Sequence, residues 1–219
     1  MAWVARTINS SIGKKAVMAV SGLLLGLFVL VHMLGNSTAL AGRDAFLAYA
    51  AALHAHDRLL LVFELLLLVF FLVHVTLALL LTLANRAARP VPYAVTGRAG
   101  GGAGIGPGSR TMLYSGLFLL VFLVVHLVQF KFGGRELPVA DLLRQVLAQP
   151  LFTIFYLAAV LALTLHLSHG FWSLWQSLGV EHPKYNPLLQ RGAVALAVLT
   201  GLLFSLVPLA ILFFPDFLR

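Results

Sequence analysis

SGLLLGLFVLVH, residues 21–32, is an apolar run that ends on an imidazole, and SGLFLLVFLVVH, residues 115–126, repeats it closely. Neither stretch alternates as a half-buried strand does, and each belongs to an apolar segment of roughly 20 residues, the length that carries a helix across a hydrocarbon core. Three further segments share this character. The five cover about 15–34, 59–83, 112–130, 151–175 and 193–214. All are apolar on every face, whereas a soluble bundle needs polar outer faces. The expected fold is therefore an all-α membrane protein, one domain over residues 1–219, with five transmembrane helices in a bundle.

Composition narrows the chemistry. Hydrophobic residues make up 61% of the 219, and there is no cysteine, which excludes disulfides, cysteine nucleophiles and thiolate ligation of iron–sulfur clusters. The formal charge of +8 is spread over the helix ends, as topology control and lipid headgroup contact require, and no nucleic-acid partner is expected. Arg6, Lys14, Lys15, Arg86, Arg89, Arg98, Arg110, Lys184 and Arg191 fall on one side; Arg43, Arg58, Lys131, Arg135, Arg144 and Arg219 fall on the other. That bias puts the N-terminus in the cytoplasm and the C-terminus outside. The first segment is too long for a signal-peptide core and reads as an anchor. A multi-pass protein of the cytoplasmic (inner) membrane is expected.

Four histidines lie in four of these helices: His32, His74, His126 and His166, each in the C-terminal half. Helices one and three run outward and helices two and four inward, so His32 and His126 share the outer level and His74 and His166 the inner one. The two levels differ by about 15 Å. An ionisable side chain within lipid is costly and marks function by default. Paired imidazoles at two depths suit two six-coordinate haems b, each with one histidine on either side of its iron. On this reading His32 and His126 hold the distal haem, and His74 and His166 the proximal one. HLSHGFWS also offers His169 as an alternative ligand or a propionate contact. A phenylalanine eleven residues before the histidine, Phe63 and Phe155, recurs in helices two and four and favours His166. The chain reads as a duplicated helix hairpin plus a fifth helix. Gly22 and Gly26 form a G-x-x-x-G suited to close helix packing.

NSSIGKKAVMAVSGLLLGLFVLVHMLGN near the start, HLSHGFWSLWQSLG in the fourth helix and EHPKYNP after it resemble the cytochrome b membrane-anchor subunit of succinate dehydrogenases and fumarate reductases, in the single-anchor, five-helix, dihaem form. The resemblance implies haem ligands at His32, His74, His126 and His166. It also implies a flavoprotein subunit and an iron–sulfur subunit as cytoplasmic partners, and a membrane quinone, menaquinone or ubiquinone, as substrate. It suggests a quinone site near the distal haem, where His54, His56, Asp57 and Arg58 stand in the loop before helix two and Glu64 lies about a turn deeper. A quinone needs a proton-exchanging group and a hydrogen-bond donor, and Glu64, inside an apolar run, is the sharpest candidate.

Two features depart from the family pattern. Residues 97–110, GRAGGGAGIGPGSR, form a long glycine-rich connector, read as flexible because no phosphate-loop context surrounds it. Some family members carry a glutamate two residues before the fourth-helix ligand, linked there to proton movement; here it is Thr164. Outside the family, a dihaem cytochrome serving a hydrogenase or formate enzyme has similar needs. A haem-free transporter predicts broken helices and more intramembrane acids than Glu64.

Overall fold

The computed structural model describes residues 6–7, 10–88, 107–133, 137–180, 182–214 and 216–219, with residues 107–110 as backbone. Its regular elements are all helical: α1 Ser11–Ser37, α2 Arg43–His54, α3 Asp57–Ala87, α4 Pro107–Leu127, α5 Val139–Leu147, α6 Pro150–Ser177 and α7 Asn186–Phe213. A 3-10 turn, Thr38–Ala41, follows α1, and a π turn, Val128–Phe132, continues α4. Five of the helices, α1, α3, α4, α6 and α7, are long and apolar enough to cross a membrane. Each begins before the span expected for it, because a helix continues through its polar ends while hydropathy marks only the lipid-soluble middle; α7 ends one residue short of its expected span, and α4 passes its own only through the π turn.

Local chemistry sets the helix starts. The Ser10 hydroxyl accepts the Gly13 N–H at 3.0 Å and caps α1. Prolines stand in the first turns of α6 and α7, where a missing N–H costs nothing. Gly42, at φ 108°, turns the chain from the 3-10 turn into α2. Inside the spans, hydroxyls return to carbonyls of their own helix, among them Ser21 to Met18, Ser115 to Met112, Thr164 to Val160 and Thr200 to Leu196. In lipid this spares them a desolvated, unbonded state.

The helix α3 exposes Leu59, Leu61, Val62, Phe63, Leu65, Leu66, Leu68, Val69 and Leu72 along its length. A continuous apolar surface of that kind is untenable in water and ordinary against acyl chains. The packing hub is α6, which lies against α7, α4, α1 and α5; α1 also packs on α3 and α7.

Two segments outside the expected spans are helical, one of them leading into the loop before helix two. The helices α2 and α5 meet across an Arg43–Asp141 ion pair of 2.7 Å at the end where α1 finishes and α6 begins, called the upper end below. Ala140, Leu143, Val146 and Leu147 give α5 one buried face, joined by Ala39, Phe46, Tyr156, Val207, Ile211 and Leu218 in the main apolar core. His54 is therefore in the last turn of α2, His56 precedes α3, and Asp57 and Arg58 open α3. Of the glycine-rich connector, residues 107–110 form the first turn of α4 rather than loop, and 97–106 lie outside the described residues, as do Arg89, Arg98, Arg135 and Glu181.

The α6–α7 seam is tight at Gly201, where the Thr164 hydroxyl occupies the place a β-carbon would take. Thr164 is pinned there by its bond to the Val160 carbonyl, 2.9 Å. Gly201→Ala is expected to cost about 1–3 kcal/mol of stability, seen as a lower melting temperature in detergent. An unchanged melt would show that α6 and α7 do not approach this closely.

Candidate functional site

The four histidines meet in two pairs. The ring centres of His32 on α1 and His126 on α4 are 5.9 Å apart, with planes crossed at 87°. Those of His74 on α3 and His166 on α6 are 6.3 Å apart, crossed at 68°. The ring facing His74 belongs to His166; His169, one turn further along α6, makes no ring contact among the described residues.

The pairs lie at two levels of the bundle. Gly22 on α1 and Gly116 on α4 sit against the rings of His74 and His166, so both helices reach the lower level at those residues. Each then runs ten residues to its own histidine at the upper level, a rise of about 15 Å. The same rise separates His166 from Tyr156, which touches His126 at the upper level.

The internal repeat has a structural counterpart. In each hairpin the first helix cradles the second helix's histidine. The His74 Nδ1 lies 3.3 Å from the Met18 carbonyl, beside Gly22. The His166 Nδ1 lies 3.3 Å from the Ser115 hydroxyl, beside Gly116, and that hydroxyl donates to the Met112 carbonyl at 3.1 Å. Met18, Ser21, Gly22, Phe28 and His32 recur at the same spacing as Met112, Ser115, Gly116, Phe122 and His126. Phe28 stacks on His32 at 5.4 Å, and Phe122 on His126 at 5.5 Å. The other expected match is weaker: Phe155 packs with Phe118, Phe122 and Tyr156, while Phe63 is exposed on α3. Gly26 faces Phe171 of α6, so the two glycines of the G-x-x-x-G serve different neighbours.

These pairs pass a fit test for a shared metal. Two imidazoles opposed on one ion, with bonds of about 2.0 Å and ring centres roughly 1.2 Å behind the nitrogens, have centres about 6.4 Å apart. The lower pair, at 6.3 Å, lies close to that spacing, and the upper pair, at 5.9 Å, is slightly closer. Among the described residues, neither α1 and α4 nor α3 and α6, the helices that carry each facing pair, pack extensively along one another. The rings reach across a gap. Among the described residues no cluster of three or more His, Asp or Glu side chains forms a metal cage. A bare ion held by protein alone asks for three or four ligands.

Three of the four rings have Nδ1 against a neighbour: His74 with the Met18 carbonyl, His166 with Ser115, and His126 with the Tyr156 hydroxyl at 3.3 Å. A bond at Nδ1 sets the ring orientation and leaves Nε2 as the nitrogen that could bind a metal. His32 is held between rings, Phe28 at 5.4 Å and Phe204 of α7 at 6.0 Å.

The remaining candidates spread over the upper end. Glu64 forms an ion pair with Lys131 of the π turn, linking α3 to the end of α4. Lys131, read from sequence only as a topology charge, thus has an ion-pair partner in Glu64. His54 is exposed with Nδ1 2.9 Å from its own helix carbonyl at Ala50. His56, Asp57 and Arg58 are exposed beside it, and among the described residues no hydrogen bond or ring contact joins these four to the His32–His126 pair. Tyr156, which the sequence reading passed over, does contact the upper pair: its hydroxyl reaches His126 and donates to the side-chain oxygen of Gln129 at 2.7 Å.

The chain matches no protein-family model, no curated protein and no solved structure.

Proposed function

We propose that this chain is the dihaem cytochrome b anchor of a succinate:quinone oxidoreductase, moving electrons between an iron–sulfur subunit and a membrane quinone. The observation that carries the reading is the division of four intramembrane histidines into two facing pairs about 15 Å apart in depth. Haem b, held by His32 with His126 and by His74 with His166, supplies one-electron redox chemistry at each level. The resemblance of the N-terminal, HLSHGFWSLWQSLG and EHPKYNP segments to the family supports the choice of partner enzyme.

In this reading the lower end faces the cytoplasm and meets the iron–sulfur subunit, and the upper end faces outward. The protein's own groups orient the rings. The Met18 carbonyl, the Ser115 hydroxyl and the Tyr156 hydroxyl fix three imidazoles, and the surrounding phenylalanines exclude water. The quinone belongs at the upper end, where Glu64 accepts or returns the proton that accompanies quinone redox chemistry and Lys131 holds the carboxylate in place between turnovers. Succinate or fumarate chemistry belongs to the partner subunits. At Thr164, packed against Gly201, no carboxylate is available to carry a proton through α6.

The test is isolation of the intact complex through a tag on this chain. A flavoprotein and an iron–sulfur subunit are expected with it, together with quinone-linked succinate or fumarate turnover. Recovery of a hydrogenase or formate enzyme instead would overturn the assignment. Glu64→Gln in that complex is expected to lower quinone turnover on the order of 100-fold with haem content unchanged. Full turnover in the variant would remove Glu64 from the quinone site.

A further inference from the structure

A phenylalanine at position 156 would satisfy the packing there. Tyr156 is 8% exposed, and its ring lies edge-on to Phe122 at 5.0 Å, Phe130 at 6.2 Å and Phe155 at 6.2 Å. Its hydroxyl is a polar group placed inside an apolar cluster, which costs free energy unless it is bonded. It is bonded twice: it donates to the Gln129 side-chain oxygen at 2.7 Å, and it lies 3.3 Å from His126 Nδ1. A phenol has one proton, and Gln129 takes it. Toward His126 the oxygen can only accept, so the proton of that contact sits on His126 Nδ1.

We propose that Tyr156, polarised by Gln129, is a positioning residue that tunes the reduction potential of the upper centre through His126. The inference rests on the reading of His126 as a haem ligand. A hydrogen bond donated from Nδ1 pushes electron density toward Nε2 and makes the ring a more basic ligand, which favours oxidised iron. Donation from the hydroxyl to Gln129 makes the same oxygen a better acceptor, so the two bonds act together. At the lower level, among the described residues, the groups at Nδ1 are not phenols: His74 faces the Met18 carbonyl, and His166 meets the Ser115 hydroxyl, which donates in turn to the Met112 carbonyl at 3.1 Å. The upper centre alone is therefore adjustable by a phenol. Gln129 occupies the π turn of α4, one helical turn beyond His126. Such turns re-aim side chains at functional sites.

The test is a redox titration of the haem absorbance of the purified complex, in wild type, Tyr156→Phe and Gln129→Leu. Tyr156→Phe is expected to make one of the two components easier to reduce, by about tenfold in its equilibrium constant, or about 59 mV for a one-electron couple. That component is the one His32→Ala removes. Gln129→Leu is expected to shift the same component in the same direction by less, because the phenol remains but is no longer polarised. Unchanged midpoints, or both components moving together, would overturn the proposal. If Tyr156→Phe loses the upper haem, Gln129→Leu decides by the same criterion. A wild-type complex without haem overturns the ligand reading itself, and that is read before any variant is made.

Discussion

If the proposed two haems are present, His166→Ala is expected to take the haem content of the chain from two to one, and His169→Ala to leave it at two. The two residues lie one turn apart on α6 and composition does not separate them, but only the His166 ring stands 6.3 Å from His74. A six-coordinate iron that loses one of its two protein ligands keeps an open position in an apolar gap, and a b-type group, with no covalent link, is then released. His74→Ala should have the same effect as His166→Ala, and the double variant should be no worse than either, because the two rings serve one centre. The upper component, on His32 and His126, should persist in all three. Pyridine haemochrome content per chain and the reduced-minus-oxidised spectrum read this directly. Loss of haem in His169→Ala with retention in His166→Ala would reassign the lower ligand.

Gly22→Val is expected to empty the lower level although all four histidines remain. A β-carbon at Gly22 lies 3.0 Å from His74 Cε1 and 3.3 Å from Nδ1. Valine adds two methyl groups to that carbon, stiff at χ1, directly beneath the ring. The ring must move off the Met18 carbonyl that orients it, and the pair separation needed for a shared metal is lost. Gly116→Ala is the milder control at the symmetric position, since its β-carbon would lie 3.4 Å from His166 Cε1, within ordinary contact. It should keep both components. Two intact haems in Gly22→Val would show that α1 does not cradle His74.

These two expectations draw on different amounts of the sequence. The spans were legible because a bilayer filters for length and apolarity together, and α1, α3, α4, α6 and α7 pass that filter without help from packing. The pairing of His32 with His126 and of His74 with His166 followed from helix direction, since antiparallel helices put C-terminal positions at alternate depths. The helices α2 and α5 were not legible by the same filter, being 12 and 9 residues long. The spacing of Ala140, Leu143 and Leu147 was the available signal for α5, and it reads as a helix only when a short surface helix is sought.

Side-chain partners were the least legible. Tyr156 beside Phe155 looks like aromatic packing until Gln129, on another helix, is brought to its hydroxyl. Lys131 looks like a topology charge until α3 and the π turn set it against Glu64. Conversely, His54, His56, Asp57 and Arg58 cluster in sequence, yet sequence proximity at a helix junction leaves them exposed and apart from the upper pair. Contacts between residues far apart in the chain depend on how the helices cross, and neither hydropathy nor periodicity carries that information.

The decisive measurement is the haem-to-protein ratio of the purified chain in its complex, with a reduced-minus-oxidised spectrum recorded on the same sample. Two b-type haems per chain are expected, one lost in His32→Ala and the other in His74→Ala. A colourless protein, or a single haem that both variants abolish, would contradict two separate bis-histidine centres.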